Sequence, residues 1–197
     1  MPGVEGEALI VLAGTTAPLT GRQIARLARR GTSPAVSAAL DRLVEQGLVH
    51  RQRAGRAYLH SLNRDHVAAP AVELLAGLRS ELLRRLRLAL RAFRPPPLHA
   101  SMFGSAARGD GDTRSDIDLL IVRPSDVDED DMRWRKRFDE LGEAVHSWTG
   151  NHAAIIELGE EELDALRAER PRILDALRAD GIDLAGTPIR ALAKRLQ

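Results

Sequence analysis

The sequence predicts a mixed α/β (α+β) protein in two parts, joined by a long helix. Three observations lead to this prediction. Apolar residues recur at helical spacing through most of the first 95 residues. The run Pro95-Pro96-Pro97 cannot continue a helix and marks a boundary. Beyond it, short apolar runs typical of strands alternate with longer helical patterns. We therefore expect three segments, residues 1–66, 67–95 and 96–197.

The first segment has the pattern of three helices followed by a β-hairpin. Thr20 is a typical N-cap for the second helix, and Thr32 or Ser33 for the third. Gly47 is a typical end for the third helix. The expected elements are helices over 7–13, from 20 to a break at 31 and from 32 to 47, and strands over 48–51 and 57–60 with a hairpin tip at 53–56.

The second segment predicts one long helix from Ala71 to Phe93. Leucines recur every four residues from Leu74 to Leu90, and arginines occupy much of the remaining surface. A four-residue step drifts around a helix, so the apolar face is broad rather than a narrow seam. Two interpretations remain open here, namely packing against the helix's own domain and contact with a second copy in a homodimer.

The third segment predicts three strands and two helices. The apolar runs are short enough for strands, and the intervening patterns are long enough for helices. The expected elements are strands over 98–103, 116–122 and 153–158, and helices over 132–150 and 161–180.

Composition and charge narrow the functional classes. The chain has no cysteine, which excludes disulfides and cysteine-based metal sites. No signal segment and no apolar run of about 18 residues occurs, so we expect a cytoplasmic protein without a membrane partner. Residues 1–95 contain 15 arginines and 7 acidic residues, whereas residues 96–197 contain 14 basic and 21 acidic residues. The basic half suits a polyanion, and the acidic half suits divalent cations or solubility.

One segment carries residues suited to phosphate chemistry. Gly104 allows the backbone to approach a phosphate, and turn N–H groups with the Ser105 hydroxyl can hold phosphate oxygens. Asp116 and Asp118 lie two apart in a predicted strand and so point to one face. Two carboxylates on one face form a site for Mg²⁺, which also binds substrate phosphates.

The run Phe103-Gly104-Ser105-Ala106-Ala107-Arg108-Gly109, followed by Ser115-Asp116-Ile117-Asp118-Leu119, resembles the minimal nucleotidyltransferases of the DNA polymerase beta superfamily. The resemblance covers about residues 98–158. It implies that Gly104 and Ser105 hold a nucleoside triphosphate and that Asp116 and Asp118 bind Mg²⁺ for catalysis. It also implies that Arg108 braces the turn or touches phosphate, although a salt bridge within its own loop is the alternative.

The resemblance further implies a third carboxylate on a later strand, where this sequence has Ala154. Glu157 lies three residues further on, and a regular strand would point it to the opposite face. His152 shares a face with position 154 and is either a contributor to the site or an ordinary polar residue at a strand end. With two of three expected acids, we expect nucleotidyl transfer to be weak or absent.

The first segment resembles winged-helix regulators of the MarR and ArsR kind. The resemblance depends on the capped second and third helices, the run from Leu40 to Val49 and the basic hairpin. It implies contact with double-stranded DNA, with the third helix in the major groove and the hairpin at phosphates or the minor groove. The implied DNA-binding residues are Ser33, Ser37 and Arg42 on the helix and Arg51, Arg53 and Arg56 in the hairpin.

These observations lead to three hypotheses of function. The first is a DNA-binding transcriptional regulator whose attached domain binds nucleotide and Mg²⁺. The alternative is an active nucleotidyltransferase, namely an adenylyltransferase similar to those of toxin–antitoxin systems, that modifies a protein or RNA. A scaffold with a decayed site is the third. A third carboxylate on the face of Asp116 and Asp118 would favour the enzyme.

Overall fold

The computed structural model describes residues 3–109, 115–160, 162–163 and 171–195, without the side chains of 171 and 193–195. The chain forms two compact units, Met1–Arg79 and Ser80–Gln197. Both combine helices with a small sheet, so the predicted mixed α/β class is confirmed.

The first unit places helices around a three-stranded antiparallel sheet with the strand order β1-β3-β2. Its core joins the helices to the sheet through buried residues such as Leu12, Ile24, Leu40 and Val49. Its elements are α1 (Val4–Ala13), β1 (Leu19–Thr20), α2 (Gly21–Leu27), α3 (Ser33–Glu45), β2 (Val49–Ala54), β3 (Ala57–Leu62) and α4 (Ala69–Ala76).

The predicted caps of the first unit are confirmed. The Thr20 hydroxyl accepts from the Gln23 backbone N–H, and the Gln23 side chain accepts from the Thr20 backbone N–H, so the two residues form a capping box. Of the two candidate caps for α3, Thr32 is the residue used, because its side chain accepts from the Ala35 N–H. Strand β1 was not predicted, since two residues are too short for a visible alternation of apolar and polar side chains.

The single long helix predicted over 71–93 is wrong, because the segment forms two helices, α4 and α5 (Leu78–Arg91). The first ends at Gly77, whose N–H bonds to the carbonyls of Glu73 and Leu74. Glycine has the weakest helix preference after proline, and this outweighs the leucine repeat. The repeat is divided accordingly, since Leu86 and Leu90 are buried in the core of the second unit whereas Leu74 is 76% exposed.

The second unit is built on a four-stranded sheet with the order β6-β5-β4-β7. Strands β5 and β6 are parallel, and the other pairs are antiparallel. Besides α5, the elements are β4 (His99–Phe103), α6 (Gly104–Arg108), β5 (Ile117–Arg123), α7 (Met132–Thr149), β6 (Ala153–Gly159), α8 (Pro171–Asp180), β7 (Ile182–Gly186) and α9 (Ile189–Arg195).

Alternate residues of the sheet face two apolar clusters. One cluster joins Leu119 and Ile121 of β5 to α5 and α7, where Trp134 packs edge-on against Phe93 and Phe138. The other joins Leu120 and Val122 to α8 and α9. Strand alternation therefore assigns every residue of β5 and β6 to one of two distinct faces.

Several predicted elements differ from the structure in extent. The turn after β4 is a short helix, and the predicted helix over 161–180 is observed as α8, while residues 161 and 164–170 lie outside the described residues. Strand β7 and helix α9 were not predicted, because a five-residue segment ending in glycine gives little pattern. Within the described residues, no helix combines the length and apolar character that crossing a membrane requires.

Candidate active site

The nucleotide-binding motif predicted from the sequence lies at one end of the second unit's sheet. Strand β4 ends at Phe103, which pairs with Asp118 near the start of the antiparallel neighbour β5. Gly104, the next residue after Phe103, therefore lies beside Asp118. The strand β5 begins at Ile117, so Asp116 lies one residue before it rather than inside it as predicted.

Gly104 has a conformation and a neighbour that together require glycine. Its φ is +71°, in the left-handed region that residues with a Cβ rarely adopt. A Cβ built at this position would collide with the Asp118 carboxylate oxygen Oδ2. The absence of a side chain thus allows the backbone of the turn to approach Asp118.

The electrostatics of Asp118 suit a bound cation. Partial burial raises the pKa of Asp118, and the negative charge of Asp116 raises it further, while the positive charge of Arg108 opposes both. Asp116 is exposed and Asp118 is half-buried. Two carboxylates that repel each other are stabilised by a divalent cation, and oxygen ligands of this kind fit Mg²⁺. Gly104 and the acid pair are therefore compatible with a Mg²⁺-bound phosphate.

The loop before β6 fixes the backbone that carries the two aspartates. The Asn151 side-chain amide donates to the Ser115 carbonyl at 2.6 Å, and the Ile117 N–H donates to the His152 carbonyl at 2.8 Å. Ile117 lies between the two acids, so both bonds limit movement of the carboxylates. Asn151 was not identified from the sequence, because its partner is 36 residues away.

Arg108, the last residue of α6, has an ion-pair partner far along the chain. Its Nη1 pairs with Oδ2 of Asp180, the last residue of α8, at 2.8 Å. The alternative of a salt bridge within its own loop stays a prediction, because residues 110–114 of that loop lie outside the described residues. At the end of α6, the Gly109 N–H bonds to the Ser105 carbonyl at 2.7 Å, and Gly109 adopts a φ of +77°.

No carboxylate replaces the third acid on β6. Ala154 is the partner of Asp118 in the parallel register, so their side chains share a face. Glu157 lies on the opposite face, where the Trp134 indole N–H and the Arg123 Nε donate to it at 2.7 and 3.0 Å. The register from 117–153 to 123–159 is continuous, without the bulge that would have turned Glu157 around.

The His152 side chain stacks against a second histidine. Its ring stacks on that of His146 with centroids 4.7 Å apart and planes within 10°. Among the described residues, no cluster of three or more histidine and carboxylate side chains suits a metal ion. The acid pair Asp116 and Asp118 stays the predicted cation site.

The six residues predicted to bind DNA lie in the first unit and are all exposed. Two of the arginines have acidic partners, since Arg42 donates to Glu5 and Arg51 pairs with Asp41 at 2.6 Å. The remaining four are the two serines of α3 and the two arginines at the hairpin tip: Ser33, Ser37, Arg53 and Arg56.

The chain is similar to known proteins over the part that contains these residues. The family model of the nucleotidyltransferase domain matches residues 83–180. A crystal structure of a toxin–antitoxin with AMP-PNP is 21% identical, with a TM-score of 0.40 over 58% of this chain and 82% of that one. A mutant of the toxin–antitoxin MntA–HpeT is 17% identical, with a TM-score of 0.41 over the same shares. Among curated proteins, none matches this chain. Residues 83–180 are similar in sequence to the nucleotidyltransferase domain.

Proposed function

We propose that the second unit binds a nucleoside triphosphate with Mg²⁺ and transfers its nucleotidyl group to a hydroxyl of a protein or RNA. The observation that carries this proposal is the close approach of the Gly104 backbone to the Asp118 carboxylate, because it brings the proposed phosphate-binding turn beside the acid pair. Gly104 and Ser105 hold the triphosphate, Asp116 and Asp118 are the ligands of Mg²⁺, and Arg108 lies at the edge of the same site.

The proposed reaction is a substitution at the α-phosphorus. The acceptor hydroxyl oxygen attacks this phosphorus, the bond from the phosphorus to its bridging oxygen breaks, and pyrophosphate leaves. Mg²⁺ would hold the phosphates and neutralise the developing charge. The bonds from Asn151 and to His152 keep the aspartates in place during this step.

The proton of the attacking hydroxyl passes to solvent water, because β6 presents no carboxylate to receive it. Ala154 occupies the position beside Asp118, and Glu157 is held on the opposite face. General base catalysis typically contributes about 10²–10⁴ in rate. We therefore propose slow transfer by a site that binds its nucleotide normally.

The test separates binding from transfer. The full chain is incubated with each of the four labelled ribonucleoside triphosphates and Mg²⁺, alone and with candidate acceptors. We expect Mg²⁺-dependent binding that is lost in Asp118→Asn and retained in Asp139→Asn, a matched change at an exposed aspartate of α7. Binding without any transfer would reduce the proposal to a nucleotide sensor. Absence of both would leave the scaffold hypothesis.

A second proposal concerns the first unit, which we infer binds double-stranded DNA as a transcriptional regulator. The order of its elements, with a hairpin after α3 and the sheet order β1-β3-β2, supports a winged-helix arrangement. The hairpin also presents Arg53 and Arg56 to solvent. DNA binding by the full chain, measured at several salt concentrations, tests this proposal, because phosphate contacts weaken as salt rises.

A homodimer belongs to the same regulatory proposal, because two-fold symmetry matches a pair of DNA half-sites. Leu74 and Leu78 are 76% and 60% exposed, whereas the later leucines Leu86 and Leu90 are buried in the second unit. The proposed contact is therefore restricted to the first part of the leucine repeat. Light scattering at micromolar concentration tests it, and a monomer would contradict it.

A further inference from the structure

We infer that Asp180 is a positioning residue, which holds the Arg108 guanidinium at the edge of the nucleotide site so that it meets the triphosphate. This inference rests on the proposed nucleotide binding. It assigns a role to a residue outside the motif, at the far end of the domain sequence. The contact that carries it is the 2.8 Å ion pair between Arg108 Nη1 and Asp180 Oδ2.

The sheet brings Asp180 to the same end as the motif. Strand β7 is antiparallel to β4, and its first residue, Ile182, pairs with Met102. Gly104 follows Met102 by two residues, and Asp180 precedes Ile182 by two. Because β7 is antiparallel to β4, it begins at the end of the sheet where β4 finishes. Asp180 and Gly104 therefore lie at the same end of the sheet.

The backbone at Asp180 is tightly constrained. The N–H of Gly181 bonds to the Leu177 carbonyl at 3.0 Å and ends α8. A Cβ at Gly181 would collide with that same carbonyl oxygen. Leu177 is itself buried in the core between the sheet and the two C-terminal helices. Asp180 is therefore attached to the core through a junction that has little freedom to move.

The ion pair is placed where its orientation matters. The Asp180 side chain is only 22% exposed, whereas that of Arg108 is 44% exposed, so the acid is the fixed partner and the guanidinium reaches towards solvent. Arg108 ends α6, the five-residue helix that begins at Gly104, and the Gly104 backbone closely approaches the Asp118 carboxylate. One end of α6 is thus attached to Asp180 through Arg108, and its other end lies beside the acid pair.

Fixing an arginine has a measurable consequence for binding. A free arginine side chain has many rotamers, and binding an anion would require most of them to be lost. When the ion pair with Asp180 has already fixed the Arg108 rotamer, binding the triphosphate no longer requires this loss of conformational entropy. Asp180 therefore acts on affinity through Arg108 and not through a contact of its own.

A double-mutant cycle tests this indirect action. Dissociation constants are measured with the full chain, Mg²⁺ and the best-binding ribonucleoside triphosphate for wild type, Asp180→Ala, Arg108→Ala and the double variant. We expect Asp180→Ala to weaken binding by about three- to tenfold, as for coupled neighbours. In the Arg108→Ala background the same change should have no further effect. Asp175→Ala, at an exposed aspartate of α8, is the matched control and should bind as wild type.

The outcomes separate the inference from the function on which it depends. Equal loss of affinity in both backgrounds would overturn the positioning role, because it would show a structural effect independent of Arg108. Unchanged affinity in Asp180→Ala, together with lost affinity in Asp118→Asn, would overturn the inference and leave the proposed function standing. A wild-type chain that binds no triphosphate would overturn both. Thermal unfolding of each variant checks that it is folded.

Discussion

Gly104→Ala is the sharpest perturbation of the candidate site, because two independent costs meet at one position. The residue has a φ of +71°, and an added Cβ would collide with Asp118 Oδ2. The change removes no functional group. Any loss of binding must therefore come from backbone strain and from displacement of Asp118.

Each of the two costs has a typical magnitude. The left-handed conformation costs a residue with a Cβ roughly 1–2 kcal/mol. Forcing an extra carbon against a packed neighbour costs about 1–3 kcal/mol, and the neighbour here is the carboxylate rather than a flexible apolar chain. We expect Gly104→Ala to lower the free energy of unfolding of the second unit by about 2–5 kcal/mol.

Gly150→Ala separates the two costs. Gly150 has a similar φ of +76°, but a Cβ there would meet nothing within 4 Å. Urea unfolding should show a loss of only about 1–2 kcal/mol for this control. Mg²⁺-dependent nucleotide binding, measured below the unfolding transition, should be lost in Gly104→Ala. Equal destabilisation in both variants with unchanged nucleotide binding would refute the contact between the turn and Asp118.

Three further outcomes follow from the described contacts. Burial lowers the pKa of His99, whose Nδ1–H donates to the Thr187 carbonyl. Neutral His99 therefore stabilises the fold fully above the pKa of histidine in the unfolded chain, about 6.5, and this stabilisation is lost as the pH falls through the folded pKa. His99→Gln should make the free energy of unfolding less dependent on pH in this range. Glu157→Gln should cost about 1–2 kcal/mol by weakening its contact with Arg123, yet leave Mg²⁺-dependent nucleotide binding unchanged, and lost binding would place Glu157 in the site. Replacing Arg53 and Arg56 with alanine should weaken binding to all DNA sequences alike and flatten its salt dependence by about one unit of slope per lost contact, whereas unchanged binding in a filter assay would exclude the hairpin from the interface.

The elements predicted well are those whose signals are local. Thr20 and Thr32 act as caps through bonds to residues three positions away, which a sequence window contains. The motif around Gly104 was visible for the same reason, because the backbone conformation of a turn depends on its own residues. Residue type and spacing were sufficient at these positions.

The features that were not predicted depend on partners far along the chain. Asp180 meets Arg108 across 72 residues, and Asn151 meets Ser115 across 36. The break at Gly77 has a local cause instead, because the low helix propensity of glycine ends α4 although the leucine repeat continues past it. Only the fold reveals that the first leucines of the repeat are exposed while the last are core.

Ala154→Asp tests whether one missing carboxylate limits the proposed reaction. The new side chain would lie on the face of Asp118, one strand away, at a spacing of about 4.8 Å between backbones. Three carboxylates repel one another without a cation, so Mg²⁺ should raise the unfolding temperature of this variant more than that of wild type. Transfer should rise by about 10²-fold if the added base receives the hydroxyl proton. Ala154→Asn has nearly the same shape without the charge and should show neither effect. If Ala154→Asp binds Mg²⁺ more tightly but transfers no faster, the slow step lies elsewhere, and the absence of an acid on β6 does not limit the rate.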